Sequence, residues 1–196
     1  MDPAIPSDLN STGSAPPSAS SEPNFREATA RAMHLAAGGI PHAVFVIHIE
    51  RLKCVTERCG YEAGESLVAE IMQRLVRKCG PWQAYCRLSA ERIAILKKDC
   101  SCRDAMAFAH RINDALGGEP FRWRGLTFRA GAAVGLLELD RQVEGIDDLL
   151  GRAAEACAAA RSLGSGGVVV FTGLPGEREA LDRERAWREH IQETLS

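Results

Sequence analysis

The chain has 196 residues, 45% of them hydrophobic, and a formal charge of -2. That is enough to bury one sizeable core rather than two. The charge sets up no field that would hold a polyanion, which excludes general nucleic-acid binding. The longest apolar runs, AVFVI and GGVVVF, fall far short of the roughly 20 residues a membrane-spanning helix needs.

Residues 1–24, MDPAIPSDLNSTGSAPPSASSEPN, are rich in Pro, Ser and Ala with almost no large apolar side chains. Such a segment cannot offset its ordering entropy by burial and reads as a disordered leader. It also lacks the basic start and apolar stretch of a secretory signal, so the expected location is the cytoplasm, with no membrane and no nucleic acid as partner. Asn24 can cap a first helix over 25–39, with Phe25, Ala28, Ala32 and Leu35 at helical spacing and Gly38-Gly39 as its stop.

HAVFVIHIE reads as a buried strand. After a loop, Leu67, Ile71 and Leu75 mark a helix that ends near Gly80-Pro81. WQAYCRL and RIAILKK form the arms of a hairpin whose break, Ser89-Ala90-Glu91-Arg92, lacks the Gly, Asn or Asp that hairpin turns favour. Asp104 to Leu116 is amphipathic, with Ala105, Ala109, Ile112 and Leu116 inward. FRWRG and LTFRAGAAVGLLEL are strands about a Gly125 turn; Leu150, Ala153, Cys157 and Ala160 line a further helix, and VVVF is the last strand. This order predicts one α+β domain, a mostly antiparallel sheet flanked by helices.

Seven cysteines are an odd number and cannot form a closed disulfide framework. Cys54 with Cys59 and Cys100 with Cys102 raise the question of zinc, but neither pair has the two-residue spacing of a zinc knuckle. No metal site is expected.

Three segments carry a resemblance. His48-Ile49-Glu50-Arg51-Leu52-Lys53-Cys54-Val55-Thr56-Glu57, running on to Gly60, Gly64 and Glu65, resembles the DIDxFKxINDxxGHxxGD signature of GGDEF domains, the bacterial diguanylate cyclases. Arg87-Leu88-Ser89-Ala90-Glu91-Arg92-Ile93 stands where that family has RxGGDEF, and the run from Leu149 to Gly166 is similar to its LLxxADxALYxAKxxGRN helix. The likeness covers residues 40–173 and implies a palm-like cyclase fold, two magnesium ions and GTP.

It also implies that the chemistry is degraded. The hairpin glycines that let backbone approach a triphosphate are Ser89 and Ala90. The first metal-binding aspartate is His48, whose imidazole suits zinc or copper better than the hard magnesium ion. Glu91 keeps the hairpin acid, while Arg92 reverses the charge of the next one; it could pair with Glu91, reach a phosphate or stay a solvated turn charge. The residues that would hydrogen-bond guanine are Thr56 and Glu65, and Thr lacks the amide that donates and accepts at once. Lys53 and Arg161 stand at phosphate-contacting positions, with a solvated surface role as the alternative, and the arginine after them is Ser165. The inhibitory RxxD site corresponds to Gly80-Pro81-Trp82-Gln83, so product inhibition there is not expected.

Residues 174–196 contain a charged stretch with Leu181, Trp187, Ile191 and Leu195 near one face. This predicts a linker or signalling helix that packs on its own domain or on a partner. In the family such a helix often leads to an EAL phosphodiesterase domain. The expected function is a catalytically inactive regulatory or protein-interaction module, with Trp187 and Ile191 at the contact, a homodimer or a downstream EAL domain as partner, and magnesium and GTP binding weak or absent. A GTP-binding allosteric sensor is the alternative, and an active cyclase the third reading.

Overall fold

A computed structural model describes residues 22–80, 82–139 and 143–171. Its central sheet has five strands, β1 (His42–Glu50), β2 (Ala84–Arg87), β3 (Arg92–Lys97), β6 (Gly131–Leu139) and β7 (Val168–Val170), in the order β2-β3-β1-β6-β7. All pairings are antiparallel except β6 with β7. β4 (Phe121–Trp123) and β5 (Leu126–Phe128) form a separate two-stranded sheet. The helices are α1 (Glu22–Ala37), α2 (Leu52–Cys59), α3 (Tyr61–Cys79), α4 (Cys102–Gly117) and α5 (Ile146–Ser162). This is the α+β, mostly antiparallel architecture expected.

β1 explains the layering. Its alternate side chains Ala43, Phe45, Ile47 and Ile49 join one cluster with α3 and α4, whereas Val44 and Val46 join a second with α1 and α5. A strand with apolar residues at both parities must be covered on both faces, and the helices supply the cover.

On the α5 side the cover is very close. A Cβ at Gly135 of β6 would lie 2.1 Å from the Cys157 backbone nitrogen and 2.3 Å from the Ala153 carbonyl, and one at Gly167 would lie 2.1 Å from the Ala160 carbonyl. Two missing side chains let α5 lie directly on the sheet. On the other side the guanidinium of Arg74, buried in α3, donates to the carbonyls of Glu119 and Pro120 and pairs with Glu70. It ties the approach to β4 to the helix layer.

The structure corrects several expectations. α1 begins at Glu22, so Asn24 lies inside its first turn rather than capping it, and the helix ends at Ala37. Leu35 is exposed, so only Phe25, Ala28 and Ala32 of the expected stripe face inward. The expected loop after β1 is α2. LTFRAGAAVGLLEL is two strands, interrupted at Arg129-Ala130 and divided between the two sheets. In α5 the buried leading residue is Leu149, with Leu150 half-buried. The expected linker helix over 174–196 lies outside the described residues. No helix among the described residues is long and apolar enough to cross a membrane.

The hairpin between β2 and β3 turns without glycine because its backbone needs no left-handed residue: neither Ser89 nor Ala90 has a positive φ. The turn is closed by Leu88 N–H donating to the Arg92 carbonyl at 2.9 Å. Arg87 does the rest, donating from Nε to the Ser89 carbonyl at 3.2 Å and from a terminal nitrogen to the Ala90 carbonyl at 2.9 Å. The same guanidinium grips Glu65 of α3 with two bonds of 2.7 and 2.8 Å. One side chain holds the turn and fastens it to a helix.

Gly135→Ala is expected to lower stability by about 3 kcal/mol or more, because the added methyl meets backbone rather than a movable side chain. Gly151→Ala, in α5 with open space around it, should instead raise stability by about 0.5 to 1 kcal/mol. Urea melts of both variants check the pair of signs. Arg87→Gln should also destabilise, with a pH signature. Arg87 holds the Glu65 carboxyl below the usual glutamate range, chiefly by hydrogen bonding. A carboxylate depressed in the folded state stabilises fully above the ordinary glutamate range and loses that contribution as pH falls through the folded value. The gap between parent and variant should therefore be widest at neutral pH and narrow in acid, leaving what the bonds to the Ser89 and Ala90 carbonyls contribute; a gap unchanged at pH values below the carboxylate range would contradict it.

Candidate functional site

The C-terminal end of β1 brings the candidate residues together. His48 pairs across the sheet with Arg92 of β3 on one side and Ala133 of β6 on the other. Its side chain is buried, and its Nδ1 has no hydrogen-bond partner. Burial, first, and then the charge of Arg161 push the imidazole below its usual pKa; Arg92 acts in the same direction, while Glu91 and Glu50 oppose it. Four charged side chains, two of each sign, thus surround a histidine held neutral. Arg92 forms no ion pair with Glu91. The hairpin is docked here by Ile49 N–H donating to the Glu91 carbonyl at 2.8 Å.

The two expected base contacts are otherwise engaged. The Thr56 hydroxyl donates to the Leu52 carbonyl of its own helix at 3.0 Å. It also lies where a Cβ on Gly64 would stand, 2.4 Å away, so Thr56 packs into the junction of α2 and α3. The Glu65 carboxylate is taken by Arg87 through both oxygens. Glu65 and Arg87 together rim a cavity of about 450 Å3 lined mainly by Val68, Met72, Tyr85 and Cys86.

The expected phosphate contacts stand on different helices. Lys53 stands exposed on α2 in a 3.8 Å ion pair with Glu57. Arg161 is exposed at the end of α5. Ser165 donates to Glu50 Oε2 at 2.6 Å, joining the loop before β7 to the end of β1.

Three of these features escaped the sequence: the Arg87 clamp on Glu65, the seating of Thr56 against Gly64, and the Ser165–Glu50 bond. The only available signal was the opposite charge of Arg87 and Glu65. It becomes informative once β2 and α3 are known to be neighbours.

These residues do not fit magnesium. The ion demands oxygen ligands in near-octahedral array, and the first ligand position offers the nitrogens of a buried imidazole instead. Nor do the cysteines gather: Cys54 and Cys102 are exposed and Cys100 is buried. Among the described residues no group of three or more His, Cys, Asp or Glu is placed to hold a metal ion. Burial pushes the Cys79 and Cys86 thiols up to about 11, which keeps them protonated and unreactive.

Comparison with known proteins agrees with the fold. The protein described as probable diguanylate cyclase DgcE of Escherichia coli is 28% identical over 151 residues, covering 75% of this chain and 14% of that protein. The response regulator PleD of Caulobacter vibrioides is 27% identical over 84 residues, covering 43% of this chain and 18% of its own length. The chain thus spans less than a fifth of either relative. Among solved structures, the GGDEF domain of YfiN (TpbB) from Pseudomonas aeruginosa superposes with a TM-score of 0.70 at 23% identity, covering 76% of this chain and 94% of that one. The active GGEEF domain of a diguanylate cyclase from Vibrio cholerae gives 0.66 at 19% identity, covering 78% and 94%. The family model described as diguanylate cyclase, GGDEF domain, matches residues 22–166, and the chain belongs to the GGDEF family.

Proposed function

We propose that this GGDEF domain makes no cyclic di-GMP and serves cyclic di-GMP signalling as a regulatory module that works through protein contacts. The observation that carries the reading is His48: a buried imidazole with its pKa lowered and its Nδ1 unpartnered, where the reaction requires anionic oxygen around a metal. Phosphoryl transfer of this kind depends on metal ions that neutralise developing charge. The engagement of Thr56 and Glu65 supports the same reading, since the base finds a hydroxyl and a carboxylate already bonded.

A second reading, a GTP-binding sensor, rests on the exposure of Lys53 and Arg161. It requires the base to displace a two-bond guanidinium pair, which charge assistance makes stronger than an ordinary hydrogen bond. The contact through which a non-catalytic domain would act is proposed to include Trp187 and Ile191, with a second copy, another signalling protein or an EAL domain as partner. A large aromatic at the centre of such a contact costs about 2 kcal/mol or more when truncated.

Incubation of the purified chain with GTP and magnesium, followed by chromatography, should give no cyclic di-GMP above a no-enzyme control; product above that control overturns the proposal. His48→Asp alone should not restore synthesis, because Ser89, Ala90 and Arg92 remain. Calorimetric titration with GTP should give a dissociation constant of roughly millimolar or weaker, since each lost base or metal contact removes about 1 to 3 kcal/mol. A submicromolar constant abolished by Lys53→Ala would establish the sensor instead.

A further inference from the structure

On the flank of α2 away from Thr56 lies another cavity, of about 340 Å3. Cys54 and Arg58 line it from α2 and Arg51 from the residue just before that helix, and Thr127 and Arg129 face them from β5 and the residue beyond it. The spacing of four residues puts 54 and 58 on one helix face. Arg51 joins that face from a left-handed backbone conformation, φ 64, which costs a residue with a side chain about 1 kcal/mol or more.

The charge here is unbalanced. Among the described residues none of the three arginines has an ion-pair partner; of the acids next to them in sequence, Glu50 accepts from the Ser165 hydroxyl and Glu57 pairs with Lys53. A chain of net charge -2 therefore collects three permanent cations in one concavity. Guanidiniums are planar forks of five donors that match phosphate oxygens. A terminal phosphate carries about -1.5 to -2 and an inner one a further charge, so a diphosphate roughly balances three arginines. Thr127 adds a hydroxyl donor. Beside the cations, Leu126, 49% exposed, and half-buried Phe128 form an apolar wall.

We infer that this cavity binds a small diphosphate, inorganic or organic, on Arg51, Arg58 and Arg129. The site is distinct from the degraded nucleotide site, from which α2 separates it, and does not rest on the proposal of catalytic inactivity. A compact concavity suits a small ligand, whereas an extended polyanion is opposed by the overall charge.

The experiment is calorimetry on the full chain with pyrophosphate and with ADP as probes. Arg51→Gln, Arg58→Gln and Arg129→Gln should each weaken binding about tenfold or more, the loss of one charge-assisted contact. All three side chains are exposed, and thermal melts confirm that the variants stay folded. Arg161→Gln, at the degraded site, should leave the affinity unchanged. In parallel, ligand should slow alkylation of Cys54, which lines the cavity, and leave Cys102, exposed on α4, at its free rate. ADP binding more tightly than pyrophosphate would show that the apolar wall takes an organic group; equal affinity would identify the diphosphate alone. Absence of both heat and Cys54 protection at millimolar probe overturns the inference. So does binding lost in Arg161→Gln but kept in Arg58→Gln, and so does a single-stranded oligonucleotide that protects Cys54 at lower concentration than either diphosphate.

Discussion

Everything in this domain is hung on β1, a central strand covered on both faces. Its odd residues demand α3 and α4, and its even residues demand α1 and α5. Once both layers are in place, the strand's C-terminal end can lie only at their rim. His48 and Glu50 are delivered there, against the hairpin and the end of α5. The position is set by burial far from it: the contacts at Gly135 and Gly167 fix α5, and α5 carries Arg161 to the same rim.

The site keeps its scaffold because the scaffold does not use the site's chemistry. The hairpin is docked by the main-chain bond from Ile49 to Glu91 and closed by the one from Leu88 to Arg92, both indifferent to side-chain identity. Its turn is closed by Arg87, outside the altered tetrad. The residues that the family resemblance would turn toward a ligand are an imidazole at 48, an arginine at 92 and, at 56, a threonine bonded into its own helix. The result is a folded domain with a rearranged electrostatic rim.

The sequence made much of this legible, and the failures have physical causes. β1 was visible because apolar residues occupy both parities, and α4 because its inward stripe repeats from Ala105 to Leu116, about three turns. α2 was missed because its eight residues bury only Leu52 and Val55, too few to show a helical period. The break at Arg129-Ala130 was hidden because the apolar alternation runs across it, and the buried stripe of α1 continues from Ala32 to Ala36, leaving Leu35 beside it. At the site, the replacements at positions 48, 56, 89, 90 and 92 were readable one by one. Their mutual engagement was not: Glu65 and Arg87 are 22 residues apart, and no local pattern joins them.

The Arg87 clamp also bears on how such a domain changes over generations. With the turn held from outside, and with φ negative at Ser89 and Ala90, glycine is no longer needed for folding at either position. A side chain there narrows the conformations open to the unfolded chain, which favours the native state by about 0.4 to 1 kcal/mol per site. Wherever nucleotide chemistry stops being selected, loss of the glycine pair is thus downhill in stability, while its recovery is uphill. Under the proposal that the domain makes no cyclic di-GMP, that asymmetry acts as a thermodynamic ratchet, in which the fold gains stability as the reaction is given up.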